Sequence, residues 1–251
     1  MSSKNNNNFG FEKVTSEEKR ILVDGVFSDV AGKYDLMNDV MSLGVHRLWK
    51  DEFCRMIPNL NSTILDVAGG TGDIAFRLKD NAKKQNRDPR IVVCDINYDM
   101  LTVCKNRAIN RNILHKLDLV VGDAEKLPFP DNSFDYYIIA FGIRNMLSLE
   151  KTLAEAYRVL KPTGKFLCLE FSKIQNDFIR PLYDFYSFKL IPSIGGYVAN
   201  NRDAYKYLAE SIKLFPDQET FKTIVQDAGF SDVRYKNLTF GVAAIHYGFK
   251  I

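Results

Sequence analysis

Between positions 64 and 73 the chain reads Ile64-Leu65-Asp66-Val67-Ala68-Gly69-Gly70-Thr71-Gly72-Asp73. An apolar run ends in clustered glycines, and an acid stands directly after them. Glycine lets the backbone take positive φ and lets a ligand come close to the main chain. A helix starting just beyond turns its free N–H groups to the same place. The chemistry this arrangement suits is the cradling of a nucleotide-sized ligand. A second apolar run, Ile91-Val92-Val93-Cys94, ends at Asp95, whose carboxylate can accept hydrogen bonds from both hydroxyls of a ribose. A third run, Leu117 to Val121, ends in Gly122-Asp123-Ala124, and a fourth, Tyr136 to Phe141, ends in Gly142-Ile143-Arg144-Asn145.

The elements that must position these residues are set by periodicity. Ile74, Leu78 and Ala82 recur at helical spacing, so the first run reads as strand, tight turn and helix. Leu101, Cys104 and Ala108 mark the buried face of a helix after the second strand. Two prolines, Pro128 and Pro130, keep the segment after the third strand a loop. Ser148 opens a helix buried through Leu149, Leu153, Ala156, Tyr157 and Leu160, and a fifth strand runs from Lys165 to Ser172. In an open parallel sheet the ligand lies beyond the carboxyl ends of the strands at the switch point. Arg144 and Asn145 are therefore expected beside the reacting atoms.

Two cofactors fit the cradle by spacing. Gly70-Thr71-Gly72-Asp73-Ile74-Ala75 matches the dinucleotide fingerprint G-x-G-x-x-A. Asp73 argues the other way, because a carboxylate at the helix N-terminus repels a pyrophosphate and attracts a cation. S-adenosylmethionine, with a sulfonium, an ammonium and one carboxylate, is such a cation.

Composition bounds the rest. A chain of 251 residues, 46% of them apolar, suits one sizeable α/β domain with a helical addition. The 34 basic and 31 acidic residues leave a net charge of only +3, which gives no support to a nucleic-acid surface. The four cysteines form no C-x-x-C pair and read as buried thiols in a reducing compartment. No stretch is apolar enough to span a bilayer. The Asn5–Asn8 run stands where a signal peptide needs an apolar core, so the expected location is cytoplasmic.

Residues 1–13 are polar and expected to be disordered. Residues 14–60 are read as an N-terminal helical lid: Thr15-Ser16-Glu17-Glu18 is a capping box, and Ile21, Leu22, Val26 and Phe27 come after it at helical spacing. A second helix is expected over 50–60. Residues 61–251 form the main domain, with an aromatic insertion at 173–216 suited to a substrate pocket. Asp217 caps a helix stopped by Gly229, and Val233–Thr239 with Val242–Phe249 read as a hairpin.

Three segments carry a resemblance to a known family. Asp66-x-Ala68-x-Gly70-x-Gly72 resembles the D/E-x-G-x-G-x-G motif of Rossmann-like methyltransferases, with Ala68 at the first glycine. The string Tyr34-Asp35-x-Met37-Asn38-x-x-Met41-Ser42-x-x-x-His46-x-x-Trp49 resembles the first signature of the UbiE-type C-methyltransferases of ubiquinone and menaquinone biosynthesis, at every fixed position. The segment Arg158 to Ser172 resembles the second signature, with Thr163 where glycine or methionine is usual.

The resemblance implies a class I methyltransferase fold: a seven-stranded, mostly parallel α/β sheet with an antiparallel last strand and helices on both faces. It implies transfer of a methyl group from S-adenosylmethionine to a ring carbon of a polyprenylated benzoquinol or a demethylmenaquinol. Cofactor contacts then fall on Thr71, Asp95, Asp123, Ala124 and Ala140, with Asp66, Gly70 and Gly72 in the cradle and Asp123 at the adenine amino group. Arg144 and Asn145 are the candidates to hold a quinolate oxygen, or the water that removes its proton. Tyr34 and His46 are the alternatives from the lid, and no metal is implied. A tail-bearing substrate implies transient contact with a membrane surface, and a homodimer or a quinone-biosynthesis complex is the implied assembly. Three other readings stay open: a nicotinamide oxidoreductase, a methyltransferase of another lipid-like acceptor, and a cofactor-binding scaffold subunit without turnover.

Overall fold

A computed structural model describes residues 6–30, 39, 42, 44–174 and 202–251. The chain begins with a hairpin, β1 (Asn6–Phe9) and β2 (Glu12–Thr15), where disorder is the expectation from composition. Two long-range contacts explain the order. The Phe9 ring stacks on Tyr207 with centroids 4.3 Å apart, and the Phe11 N–H donates to Glu210 Oε2 at 3.1 Å. Helix α1 (Ser16–Val30) starts at the expected capping box: Thr15 Oγ1 accepts the Glu18 N–H at 3.2 Å, and Glu18 Oε2 accepts the Thr15 N–H at 2.8 Å. Helix α2 (His46–Arg55) begins earlier and ends earlier than the pattern over 50–60 suggests.

The sheet is made by β3 (Thr63–Val67), β4 (Arg90–Asp95), β5 (Leu117–Val121), β6 (Phe134–Ala140), β7 (Leu160–Phe171), β8 (Ser231–Leu238) and β9 (Ala243–Phe249). Their order is β5-β4-β3-β6-β7-β9-β8. The strands from β3 to β7 run parallel, and β9 enters antiparallel between β7 and β8. Crossovers are α3 (Asp73–Lys84), α4 (Tyr98–Asn110) and α5 (Leu149–Val159), followed by α6 (Arg202–Leu214) and α7 (Gln218–Asp227).

Alternation along the strands divides the core into two layers. Ile64, Val93, Ile138, Leu167 and Leu169 meet Phe53, Phe76, Leu78 and Tyr205 on one face. Leu65, Val67, Tyr137, Ile139 and Phe166 meet Leu153, Phe221 and Val225 on the other. Each such buried side chain contributes about 2 kcal/mol of transfer free energy. Two helices start at the expected caps, with Ser148 Oγ accepting the Lys151 N–H at 3.2 Å and Asp217 Oδ1 the Thr220 N–H at 2.9 Å, and α4 is capped by Asn97, whose Oδ1 accepts the Met100 N–H at 2.8 Å. All four cysteines are buried and free.

Strand β7 starts at Leu160, five positions before the expected Lys165, and accommodates Pro162-Thr163-Gly164 as a bulge between the Phe134 and Tyr136 pairings. Thr163 is exposed and held at φ 67°, while its N–H donates to the Lys250 carbonyl at 2.7 Å. A Cβ in that region costs about 1–2 kcal/mol, of which glycine would return part through its greater freedom when unfolded. Thr163→Gly is therefore expected to raise the thermal midpoint by about 2 °C. An unchanged or lower midpoint in a thermal scan would show that the bulge carries no strain.

Candidate active site

A cavity of about 340 Å³ opens at the carboxyl ends of β3, β4, β5 and β6 and is roofed by α1. Its floor is the turn after β3, where Ala68 and Gly70 take φ of 50° and 53° and Gly72 starts α3 at φ 82°. A Cβ on Gly70 would lie 3.0 Å from Met100 Cε, and one on Gly72 would lie 2.5 Å from Cys104 Sγ. Gly70 lines the cavity. Gly72 does not, and its value lies in the left-handed helix start. Ala68, at the first-glycine place, is matched by Gly142 across the sheet, where a Cβ would approach the Ala68 methyl to 2.5 Å.

Asp95 ties this turn to the next strand. Its Oδ2 accepts the Gly70 N–H at 2.8 Å and its Oδ1 the Asn97 N–H at 2.9 Å. Burial pushes its pKa up to about 6 against the pull of those amides. Asp66 is shifted further: desolvation first, then the charges of Asp95 and Asp73, push its carboxyl up to about 8. Its Oδ2 has no hydrogen-bond partner among the described residues, although the residue lines the cavity. Near neutral pH this carboxyl keeps its proton; a cation bound beside it would favour the ionised form, and a phosphate would not.

Asp73 does not supply that preference. Its Oδ2 takes Lys50 Nζ at 2.8 Å and its Oδ1 takes Arg77 Nε at 3.2 Å. Despite burial, these cations hold Asp73 below the usual carboxylate range. The charge argument drawn from the helix-opening acid thus passes to Asp95, the less strongly shifted of the two buried carboxyls.

Around the floor, Thr71, Asp123, Ala124 and Ala140 all line the cavity. Thr71 Oγ1 is held by Arg107 at 2.9 Å, and Asp123 Oδ2 pairs with Arg20 of α1 at 2.8 Å. The sequence reading places a helical lid over 14–60 but assigns none of the α1 residues to the site. Arg20, Ile21, Asp24 and Phe27 line the roof, and Asn97 Nδ2 donates to Asp24 Oδ1 at 2.7 Å and to Ser28 Oγ at 2.9 Å. Ile21 and Leu22 are exposed, 66% and 40%, so α1 does not bury the face its periodicity suggests. The spacing Arg20, Asp24, Phe27 was the available signal.

The four candidates for chemistry separate. Asn145 lines the cavity at the end of β6, and its Oδ1 accepts from the Tyr207 hydroxyl at 2.9 Å. Arg144 turns away from the cavity: its guanidinium donates to Glu170 Oε1 at 2.8 Å and to the Phe141 carbonyl at 2.6 Å, and the side chains of Arg144 and Glu170 are both almost fully buried. Its expected place beside the reacting atoms is therefore corrected to a buried pair beneath Asn145, because Glu170 on β7 would otherwise be an uncompensated buried charge. His46 is also outside the cavity lining. Its Nε2 meets Asp39 Oδ1 at 2.9 Å, and burial, followed by Lys50, lowers its pKa. Tyr34 lies outside the described residues.

This sheet order, with an antiparallel strand inserted at one end and a glycine turn between the first parallel strand and its helix, is that of the Rossmann-like methyltransferases that use S-adenosylmethionine. The profile of the ubiE/COQ5 methyltransferase family matches residues 13–250, and the chain belongs to that family. A ubiquinone/menaquinone biosynthesis C-methyltransferase UbiE of Rickettsia bellii is 55% identical over 98% of this chain and 100% of its own length. Among solved structures, a SAM-dependent methyltransferase of Thermotoga maritima covers 90% of this chain and 99% of its own, with 18% identity and a TM-score of 0.64. Phosphoethanolamine N-methyltransferase 2 of Haemonchus contortus, solved with S-adenosylhomocysteine, has 16% identity and a TM-score of 0.55 over 76% of this chain and 49% of its own. The last two likenesses bear on fold.

Asp66 generates a prediction with a definite sign. Its folded pKa lies above the ordinary carboxylate value, so the folded protein holds a proton that the unfolded chain releases, and stability falls as pH rises from about 4 to about 8. The stability gained by Asp66→Asn should grow from pH 5 to pH 8 in denaturant titrations, while affinity for S-adenosylmethionine falls. A gain independent of pH, or unchanged affinity, would remove Asp66 from the cradle.

Proposed function

We propose that this chain methylates a ring carbon of a polyprenylated quinol, a benzoquinol or a demethylmenaquinol, in ubiquinone or menaquinone biosynthesis. The observation that carries the reading is that one cavity is lined at one end by Asp66 and Asp95 beside the glycine turn and at the other by Asn145 beyond β6. The acceptor class is supported by the name of the 55% identical relative.

S-adenosylmethionine, when bound, supplies an already activated methyl group, so the protein's task is alignment and exclusion of water. Asp66, Gly70, Thr71, Asp95, Asp123, Ala124 and Ala140 are the residues proposed to hold it. Asp95 keeps the turn in place, and Asp123 with Arg20 joins the roof to the floor. A quinol is a strong carbon nucleophile once a phenolic proton has left. Asn145 Nδ2 stabilises the resulting oxyanion by donating to it. A water molecule takes the phenolic proton, with Asn145 and Tyr34, in the first signature, as the groups proposed to hold it, since Arg144 and His46 are engaged elsewhere. After methyl transfer the ring carbon gives its own proton to water as aromaticity returns, and the sulfonium leaves as the neutral thioether of S-adenosylhomocysteine.

Among the described residues no helix is long and apolar enough to cross a membrane. Access to a tailed quinol is proposed to come from transient contact with a membrane surface at the cytoplasmic side. A homodimer or a quinone-biosynthesis complex is the proposed assembly.

The test is incubation with S-adenosylmethionine labelled in the methyl group, using membranes from cells that lack this methylation step. Label is expected in the extracted quinone fraction, and mass spectrometry of its fragments should place it on the ring. Label confined to another lipid would move the acceptor class. Cofactor binding with no transfer to any lipid would favour a scaffold subunit.

A further inference from the structure

We propose that Tyr207 is a positioning residue for methyl transfer: its hydroxyl fixes the Asn145 amide with Oδ1 turned inward and Nδ2 presented to the acceptor's oxygen. The inference rests on the role given above to Asn145. An amide flips easily between two orientations that differ in whether a donor or an acceptor faces the cavity. An acceptor facing a developing oxyanion would oppose the reaction, so the orientation has to be held.

The geometry around Tyr207 holds it. The hydroxyl donates to Asn145 Oδ1 at 2.9 Å, across 62 positions of sequence. Asn145 Nδ2 has no partner among the described residues, while its residue lines the cavity. Tyr207 is 5% exposed, and burial pushes its phenol up to about 12. It thus stays a neutral donor across the working range and takes no proton itself.

The ring is fixed from the far side of the chain. Phe9 stacks on it at 4.3 Å with 14° between the planes, and the same hairpin is tied to α6 through the Phe11 N–H and Glu210 Oε2 at 3.1 Å. A Cβ on Gly10 would overlap the Glu210 carboxylate, so the hairpin turn seats directly on α6. Below Asn145, the Arg144–Glu170 pair fixes the backbone of the same short turn, with Glu170 Oε2 accepting the Arg144 N–H at 3.3 Å. The N-terminal hairpin therefore acts on the site through one ring and one hydroxyl.

The experiment is a double-mutant cycle on the full chain with Tyr207→Phe, Asn145→Ala and the pair, measuring kcat and KM with a short-tailed quinol and S-adenosylhomocysteine affinity by calorimetry. Tyr207→Phe keeps the ring and its stack. It is expected to lower kcat about tenfold, the effect of one hydrogen bond, with cofactor affinity unchanged. In the Asn145→Ala background the same substitution is expected to change kcat less than about twofold, because the hydroxyl then has no amide to orient. Equal losses in both backgrounds, an unchanged kcat, or lost cofactor binding in Tyr207→Phe would each overturn the positioning role. A normal kcat in Asn145→Ala alone would instead overturn the role of Asn145 in the proposed function.

Discussion

The structure depends on one carboxylate held between two backbone amides. Asp95 ends β4, and its two oxygens receive the Gly70 and Asn97 N–H groups at 2.8 and 2.9 Å. The first of these belongs to the turn after β3 and the second to the cap of α4. A single side chain therefore sets the separation of two strand ends and the entry of a helix. Its burial raises its pKa to about 6, and the amides offset part of that cost. Buried charge is tolerated only when it is bonded in this way. The cavity floor exists because this bond holds a turn in which Ala68 and Gly70 keep positive φ.

Several of the acids in and beneath the cavity are answered by a cation. Asp73 is answered by Lys50 and Arg77, Asp123 by Arg20, and Glu170 by Arg144. Asp66 alone in this group has a buried oxygen that no described residue satisfies. Matched pairs contribute rigidity and little selectivity. The Asp66 carboxyl is held protonated near neutral pH by burial and by the charges of Asp95 and Asp73, and a cation beside it would favour its ionised form.

Much of the domain was legible because its signals are local. Apolar runs ending in glycine or acid marked β3 to β6, and Ser148 and Asp217 marked two helix starts. The cavity-lining residues Asp66, Gly70, Thr71, Asp95, Asp123, Ala124 and Ala140 could be brought together from sequence because each sits in or beside a strand end. The features that were not legible depend on contacts across the chain. The N-terminal hairpin is ordered by Tyr207 and Glu210, from the far end of the sequence. Arg144 is claimed by Glu170 on the neighbouring strand, and Asp73 by Lys50 from the preceding helix. Helix α1 was found by its capping box, yet its role as a roof comes from Asn97 and Asp123. A capping box fixes where a helix starts and says nothing about which face it buries.

The most direct test is a crystal structure of the full chain grown with S-adenosylhomocysteine. The account predicts ligand density over Ala68 to Thr71, with the ribose at Asp95, the base toward Asp123 and the sulfur facing Asn145. Density in another part of the molecule, or a dinucleotide retained in the crevice in its place, would contradict it.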